Sequence, residues 1–140
     1  MQLRPCRDSD LPALLTMWKE AKATPTVTDN VASLRLYLFH STASFLLLAD
    51  DNGRLAGSVM GAFDGWRGNI YRLAVHPGYR RKGVAKALMA EADKRLAKLG
   101  ALRVTALVEG DHPDAVAFWN ASPYKLDAHM VRYSRDLTKM

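Results

Sequence analysis

Three cations, Arg80, Arg81 and Lys82, stand directly before Gly83 and an amphipathic stretch. Before them an apolar run, Leu73-Ala74-Val75, breaks at His76-Pro77-Gly78. That order sets basic side chains and exposed backbone N–H groups together at the start of a helix. The first amides of a helix have no intrahelical acceptor, and the helix dipole adds partial positive charge there. Phosphate is the matching partner, and Gly83 lets it approach where a β-carbon would obstruct it. The plainer reading of the cations is a solvated helix entrance, and that of Gly83 is a turn requirement. Their succession favours a phosphate-bearing ligand.

The elements that must position this loop are read from spacing. Residues 2–4 form a short first strand. Asp8, Ser9 and Asp10 offer capping side chains, Pro12 suits a first turn, and Leu11, Leu14, Leu15 and Trp18 recur at helical spacing to about Lys22. Thr24-Pro25-Thr26 breaks that helix, and Val31, Leu34 and Leu38 set a second one ending near His40. A strand at 44–49, the turn Asp50-Asp51-Asn52-Gly53, a strand at 55–63, the turn Asp64-Gly65-Trp66-Arg67-Gly68 and a strand at 69–75 make a meander. In 83–99, Val84, Leu88, Ala92, Leu96 and Leu99 share one helical face, and Gly100 fits the position just past the end. A strand at 102–108, a helix at 113–120 and a closing strand pair, 124–126 with 130–133, complete an α/β domain with a mixed sheet.

Composition narrows the class. A chain of 140 residues, 49% hydrophobic and 24% charged, is expected to be one domain with a real core. The longest apolar run, Phe45-Leu46-Leu47-Leu48-Ala49, is strand-sized, and Met1-Gln2-Leu3-Arg4-Pro5 lacks a signal-peptide core. The single cysteine, Cys6, allows no intrachain disulfide, which fits a cytoplasmic setting. Four scattered histidines show no metal-ligand spacing. The net charge of +6 raises nucleic acid as a partner, but no aromatic residues interleave with the basic cluster and no nucleic-acid motif is present.

Arg80-Arg81-Lys82-Gly83-Val84-Ala85 resembles the Gln/Arg-x-x-Gly-x-Gly/Ala acetyl-CoA signature of GNAT-superfamily N-acetyltransferases, and follows a strand ending Ala74-Val75-His76-Pro77 as that signature does. The resemblance covers the whole chain, 1–140, as a single domain. Residues 57–68, running to Asp64-Gly65-Trp66-Arg67-Gly68, resemble small bacterial acetyltransferases of the YpeA type, relatives of the ribosomal-protein acetyltransferases. It implies a mixed, mostly antiparallel sheet of about six to seven strands with about four helices. It also implies acetyl-CoA as co-substrate and an amine acceptor (a protein N-terminus, a lysine or a small amine) that attacks the thioester directly in a ternary complex. By the same resemblance, amides from Arg81 through Gly83 and Val84 to Ala85, with the Arg80 and Lys82 side chains, hold the CoA pyrophosphate. Leu73 and Val75 offer main-chain groups to the pantetheine arm, an amide near Leu73 serves the developing oxyanion, and Phe118 lies beside the pantetheine end.

The sequence departs from the family pattern around 112–124. His112 stands where Asn is usual, Pro123 replaces a later Gly, and Trp119 stands where a Tyr commonly protonates the leaving thiolate. Indole N–H is far too weak an acid for that task. Tyr124 is then either a substitute acid or a core aromatic, and Trp119 reads first as packing. Glu109 and His112 are base candidates whose plainer reading is surface loop. Asp64 reads as a turn cap and His76 as structural. Asp10, Glu20 and Asp29 are candidates for an acceptor pocket, with nothing to select among them. A non-catalytic acetyl-CoA sensor is the alternative that Trp119 motivates. Monomer and homodimer both stay open, and no membrane partner is expected.

Overall fold

Arg4, on the first strand, anchors the fold's N-terminal corner. In the computed structural model, which describes residues 1–138, its guanidinium grips both Asp10 oxygens at 2.7 and 2.9 Å and Asp50 at 2.8 Å. The chain divides into two compact units, 1–107 and the residues from 108 onward. In the first, strand β1 (Gln2–Pro5) leads to helix α1 (Leu11–Glu20), whose Leu11, Leu14, Met17 and Trp18 are buried at helical spacing. Pro12 does occupy its first turn. Asp8–Asp10 form a separate 3-10 turn, and Asp10 caps that turn by accepting the Arg7 N–H at 2.8 Å rather than capping α1. Helix α1 stops at Glu20, two residues earlier than the spacing suggests, because the chain reverses through Lys22 at φ +62°. Helix α2 (Val31–His40) starts on Asn30, which accepts the Ser33 N–H at 2.9 Å.

The sheet contains β2 (Ser44–Asp51), β3 (Arg54–Phe63), β4 (Gly68–Val75) and β5 (Val104–Ala106) besides β1, in the order β1-β2-β3-β4-β5. The first three junctions are antiparallel; β4 and β5 run parallel, as a crossover through helix α3 (Val84–Leu99) requires. Leu88, Ala92 and Leu96 are fully buried on α3, and Gly100 ends it at φ +107°. Gly57 lets that helix lie close: a β-carbon there would meet the Ala74 carbonyl and Val84 Cγ1, each at 2.9 Å.

Five strands are present among the described residues, so the expected six to seven are corrected. Strand β5 is three residues long rather than 102–108, with Leu102 almost wholly exposed. In the second unit, helix α4 (Pro113–Ala121) forms, with the His112 Nδ1 accepting the Ala115 N–H at 3.3 Å. The closing pair, 124–126 with 130–133, forms no strands. Most of its apolar side chains are uncovered: Leu126, Met130, Val131 and Tyr133 are all exposed, and a strand pair with so little covered face is marginal in water. A turn closed by the Met130 N–H on the Asp127 carbonyl at 3.2 Å remains.

Candidate active site

Strand β4 is irregular where the candidate chemistry falls. Ala74 pairs with Ser58 and Tyr71 with Met60, so Arg72 and Leu73 together oppose Val59 alone. This is a β-bulge, in which two residues face one and the extra residue leaves the ladder. Arg72 adopts φ +50°, a region that residues with a β-carbon seldom enter. On its other edge β4 pairs with β5 only through Gly68, Asn69 and Ile70. From Tyr71 to Val75 that edge carries no strand among the described residues. A strand edge with no strand beside it, next to a bulge, is a template for an extended amide-bearing ligand.

The strand runs directly into the basic loop. The His76 Nδ1 accepts the Gly78 N–H at 3.0 Å, which leaves its Nε2–H to donate to Glu20 at 2.7 Å. The Tyr79 hydroxyl donates to Asp51 at 2.6 Å, and that bond holds the phenol above its usual titration range. The Lys82 ammonium lies 5.5 Å from the Tyr79 ring centre. Arg81 and Gly83 both take positive φ, +63° and +79°, the left-handed backbone found in anion-binding turns. Nothing lies within 4 Å of where a Gly83 β-carbon would stand. Arg81, Lys82 and Gly83 are exposed, and α3 begins at the next residue with its first-turn amides. This open cradle fits a diphosphate. The Arg80 guanidinium, in contrast, donates to the Ala21 carbonyl at 3.3 Å and so braces the end of α1.

The three carboxylates expected to line an acceptor pocket each hold a cation or a histidine. Asp10 is held by Arg4, which keeps its carboxyl below the ordinary carboxylate range; Glu20 meets His76; Asp29 meets Arg72. Asp64 accepts the Trp66 and Arg67 amides, both at 2.8 Å, which is the turn-capping role. Burial pushes the Cys6 thiol up to about 12, so the chain's one cysteine is no nucleophile at neutral pH.

In the second unit Trp119 sits edge-on to both Phe118, with ring centres 5.4 Å apart, and Tyr124, at 4.9 Å. That is the packing role read for Trp119. The Tyr124 amide donates to the Ser122 hydroxyl at 3.1 Å, and Ser122 caps α4 through the Trp119 carbonyl at 2.7 Å. Glu109 is half-buried, and its carbonyl accepts the His112 N–H at 3.1 Å. His112 is thereby a helix cap, with its Nδ1 already engaged.

Sequence reasoning missed Ser58 and Arg72. The one available signal was a serine in the middle of an apolar strand, Ser58 between Gly57 and Val59, which proves to be wholly buried. Nothing in the strand pattern marks Arg72 as the bulged residue.

Comparison with known proteins adds to this geometry. A model of the acetyltransferase (GNAT) family matches residues 12–121. An acetyltransferase of Pectobacterium atrosepticum is 32% identical over 125 residues, 89% of this chain and 88% of the relative. One from Sodalis glossinidius is 31% identical over 137 residues, 98% and 96% of the two chains. Among solved structures, the aminoglycoside N-acetyltransferase AAC(6')-Iy in complex with CoA aligns with a TM-score of 0.78 at 14% identity, over 96% of this chain and 93% of that one. The PaiA N-acetyltransferase of Thermoplasma acidophilum, in complex with coenzyme A, aligns at 0.76 and 19% identity, over 85% and 86%. At these identities the structural likeness is one of fold.

Proposed function

The chain belongs to the GNAT acetyltransferase family, and from that premise we propose that it moves acetyl from acetyl-CoA to a primary amine by direct attack in a ternary complex. The acceptor is a protein N-terminus, a lysine or a small amine, and the chain is read as kin to small bacterial enzymes of the YpeA type. The observation that carries the reading is the continuity of the bulged, open-edged stretch 71–75 with the Arg81–Gly83 cradle. One run of chain thus offers backbone groups to an amide-bearing arm and a diphosphate seat at its end. Both units act as one domain in this reading, supported by a family match that spans 12–121. The cytoplasm is the setting it fits, and no helix among the described residues is long and apolar enough to cross a membrane.

The roles follow. Amides of Arg81, Lys82, Gly83, Val84 and Ala85 take the pyrophosphate, with the Lys82 side chain beside them. The Arg80 side chain contributes from its place at the end of α1. Leu73 and Val75 supply main-chain groups to pantetheine, Phe118 flanks it, and the Leu73 amide donates to the carbonyl oxygen as negative charge develops there. The amine nitrogen forms the new N–C bond as the C–S bond breaks. Glu109 takes the amine proton, directly or through water, and Tyr124 returns a proton to the departing sulfur. Direct attack forms no acyl-enzyme, and the one cysteine, Cys6, is buried.

Thiol release from acetyl-CoA, measured against peptide N-termini, lysine peptides and polyamines with acetyl-CoA binding alongside, tests the reading. Turnover on one amine class establishes it and names the acceptor. Tight binding with no turnover on any class would instead favour the sensor that Trp119 motivates.

A further inference from the structure

Ser58 is the buried polar side chain of the core among the described residues, with no exposed surface at all. A buried hydroxyl needs partners, and Ser58 has one in each role. Its Oγ accepts the Trp18 indole N–H at 2.8 Å and donates to the Arg72 carbonyl at 3.0 Å. That carbonyl belongs to the residue that the bulge displaces from the ladder. Ser58 therefore supplies, from inside the core, a donor to the very segment where the β3–β4 pairing is interrupted.

The Arg72 side chain is held as firmly as its backbone. Its guanidinium donates to the Thr24 carbonyl at 2.8 Å and to the Asp29 carboxylate, and lies 5.2 Å from the Trp18 ring centre. Trp18, Ser58, Arg72, Thr24 and Asp29 thus form a closed circuit through α1, β3, the bulge and the connection between α1 and α2. A non-glycine residue at φ +50° persists only where its surroundings over-determine it, and this circuit does so.

We propose that Ser58 and Arg72 are positioning residues that fix the β4 bulge, and with it the aim of the Leu73 amide. The proposal rests on the reading of that amide as the oxyanion donor. Neither side chain touches substrate; each acts through the backbone of residues 72–73. A small rotation there re-aims the amide while leaving the Gly83 cradle, on the far side of the His76 turn, in place. The circuit also links amide geometry to the 21–30 connection.

Isotope-edited infrared spectroscopy with [1-13C]acetyl-CoA as the probe reads the amide directly, because a hydrogen bond to the thioester carbonyl lowers its stretching frequency. In the wild-type protein the bound carbonyl should absorb below free acetyl-CoA. In Ser58→Ala and in Arg72→Gly, which keeps the backbone's access to positive φ, the band should return at least halfway to the free position. Acetyl-CoA Kd should stay within about threefold, because the pyrophosphate amides are untouched. Arg72→Lys, retaining a cation, should restore part of the shift. A wild-type shift that the variants leave unmoved overturns the brace and spares the Leu73 assignment. A wild-type band at the free position overturns that assignment and the brace with it. Loss of acetyl-CoA binding in folded Ser58→Ala and Arg72→Gly would also overturn positioning, since the two residues would then support the groove as a whole. If Ser58→Ala does not fold, Asp29→Asn, a change of one atom in the α1–α2 connection, carries the same test.

Discussion

Gly83 combines a left-handed backbone, φ +79°, with empty space where its β-carbon would be. A tryptophan there fills the seat proposed for pyrophosphate without meeting the core. Gly83→Trp is therefore expected to weaken acetyl-CoA binding by at least about a hundredfold in calorimetric titration. The strained φ costs about 1–2 kcal/mol, a fall in Tm of only a few degrees. An unchanged Kd would remove the loop from the site. Tyr124 carries the second test. Its ring packs on Trp119, which a phenylalanine reproduces, so Tyr124→Phe isolates the hydroxyl. As the thiolate's acid, its loss should lower kcat about a hundredfold with acetyl-CoA Kd unchanged; as a packing residue alone, it should move neither. The contrast between the two positions explains what a sequence can reveal. The turn at Gly83 was legible because cations, glycine and helix start are consecutive, whereas its role toward pyrophosphate stays a proposal. Arg72 was not, because a bulge depends on how β4 meets β3, and no local pattern encodes that register.

Helix α3 reaches its place because Gly57 gives it room, so the strand glycine and the helix are one device. Gly57→Ala would drive a methyl into the Ala74 carbonyl and Val84 Cγ1, both at 2.9 Å, at a cost of about 1–3 kcal/mol. Since Val84 is the first residue of α3, the displaced end is the one proposed to hold the cofactor. Thermal melts and acetyl-CoA titration should therefore worsen together, unlike Gly83→Trp, where binding falls far more than stability. A different joint ties β1, β2 and the start of α1. There Arg4 holds the Asp10 and Asp50 carboxyls below their ordinary value of 3.8. Groups depressed by folding stabilise above their unfolded value and lose that contribution as pH falls through the folded one. The urea midpoint should be flat from neutrality to about pH 5 and decline below about pH 4, and Arg4→Gln should make that decline shallower. Elements with one buried face, such as α3 with Leu88, Ala92 and Leu96, were legible from periodicity alone. The expected closing strands were not, because alternation at 124–133 marks a face able to be covered, and Leu126, Val131 and Tyr133 have no cover in the structure.

Net charge of +6 draws any anion toward the molecule, while the seat proposed at Arg81–Gly83 suits a diphosphate. General electrostatic attraction is spread over surface lysines and arginines and is screened within about 8 Å at physiological salt. The Arg81–Gly83 turn has two left-handed residues beside a charged side chain, and β4, which leads into it, has an edge without a strand partner from Tyr71 to Val75. Binding there is selective for the folded state, so it must appear as stability. Acetyl-CoA at about one hundred times its Kd should add about 2.7 kcal/mol, raising Tm by about 5–10 °C in a thermal scan. Raising salt from 50 to 200 mM should leave most of that shift intact, since the contacts proposed for pantetheine are uncharged. An oligonucleotide, bound only through counterion release, should lose its effect over the same range. The reverse order, a salt-proof nucleic-acid shift with none from acetyl-CoA, would make the basic loop a polyanion patch and leave the open edge of β4 without its occupant.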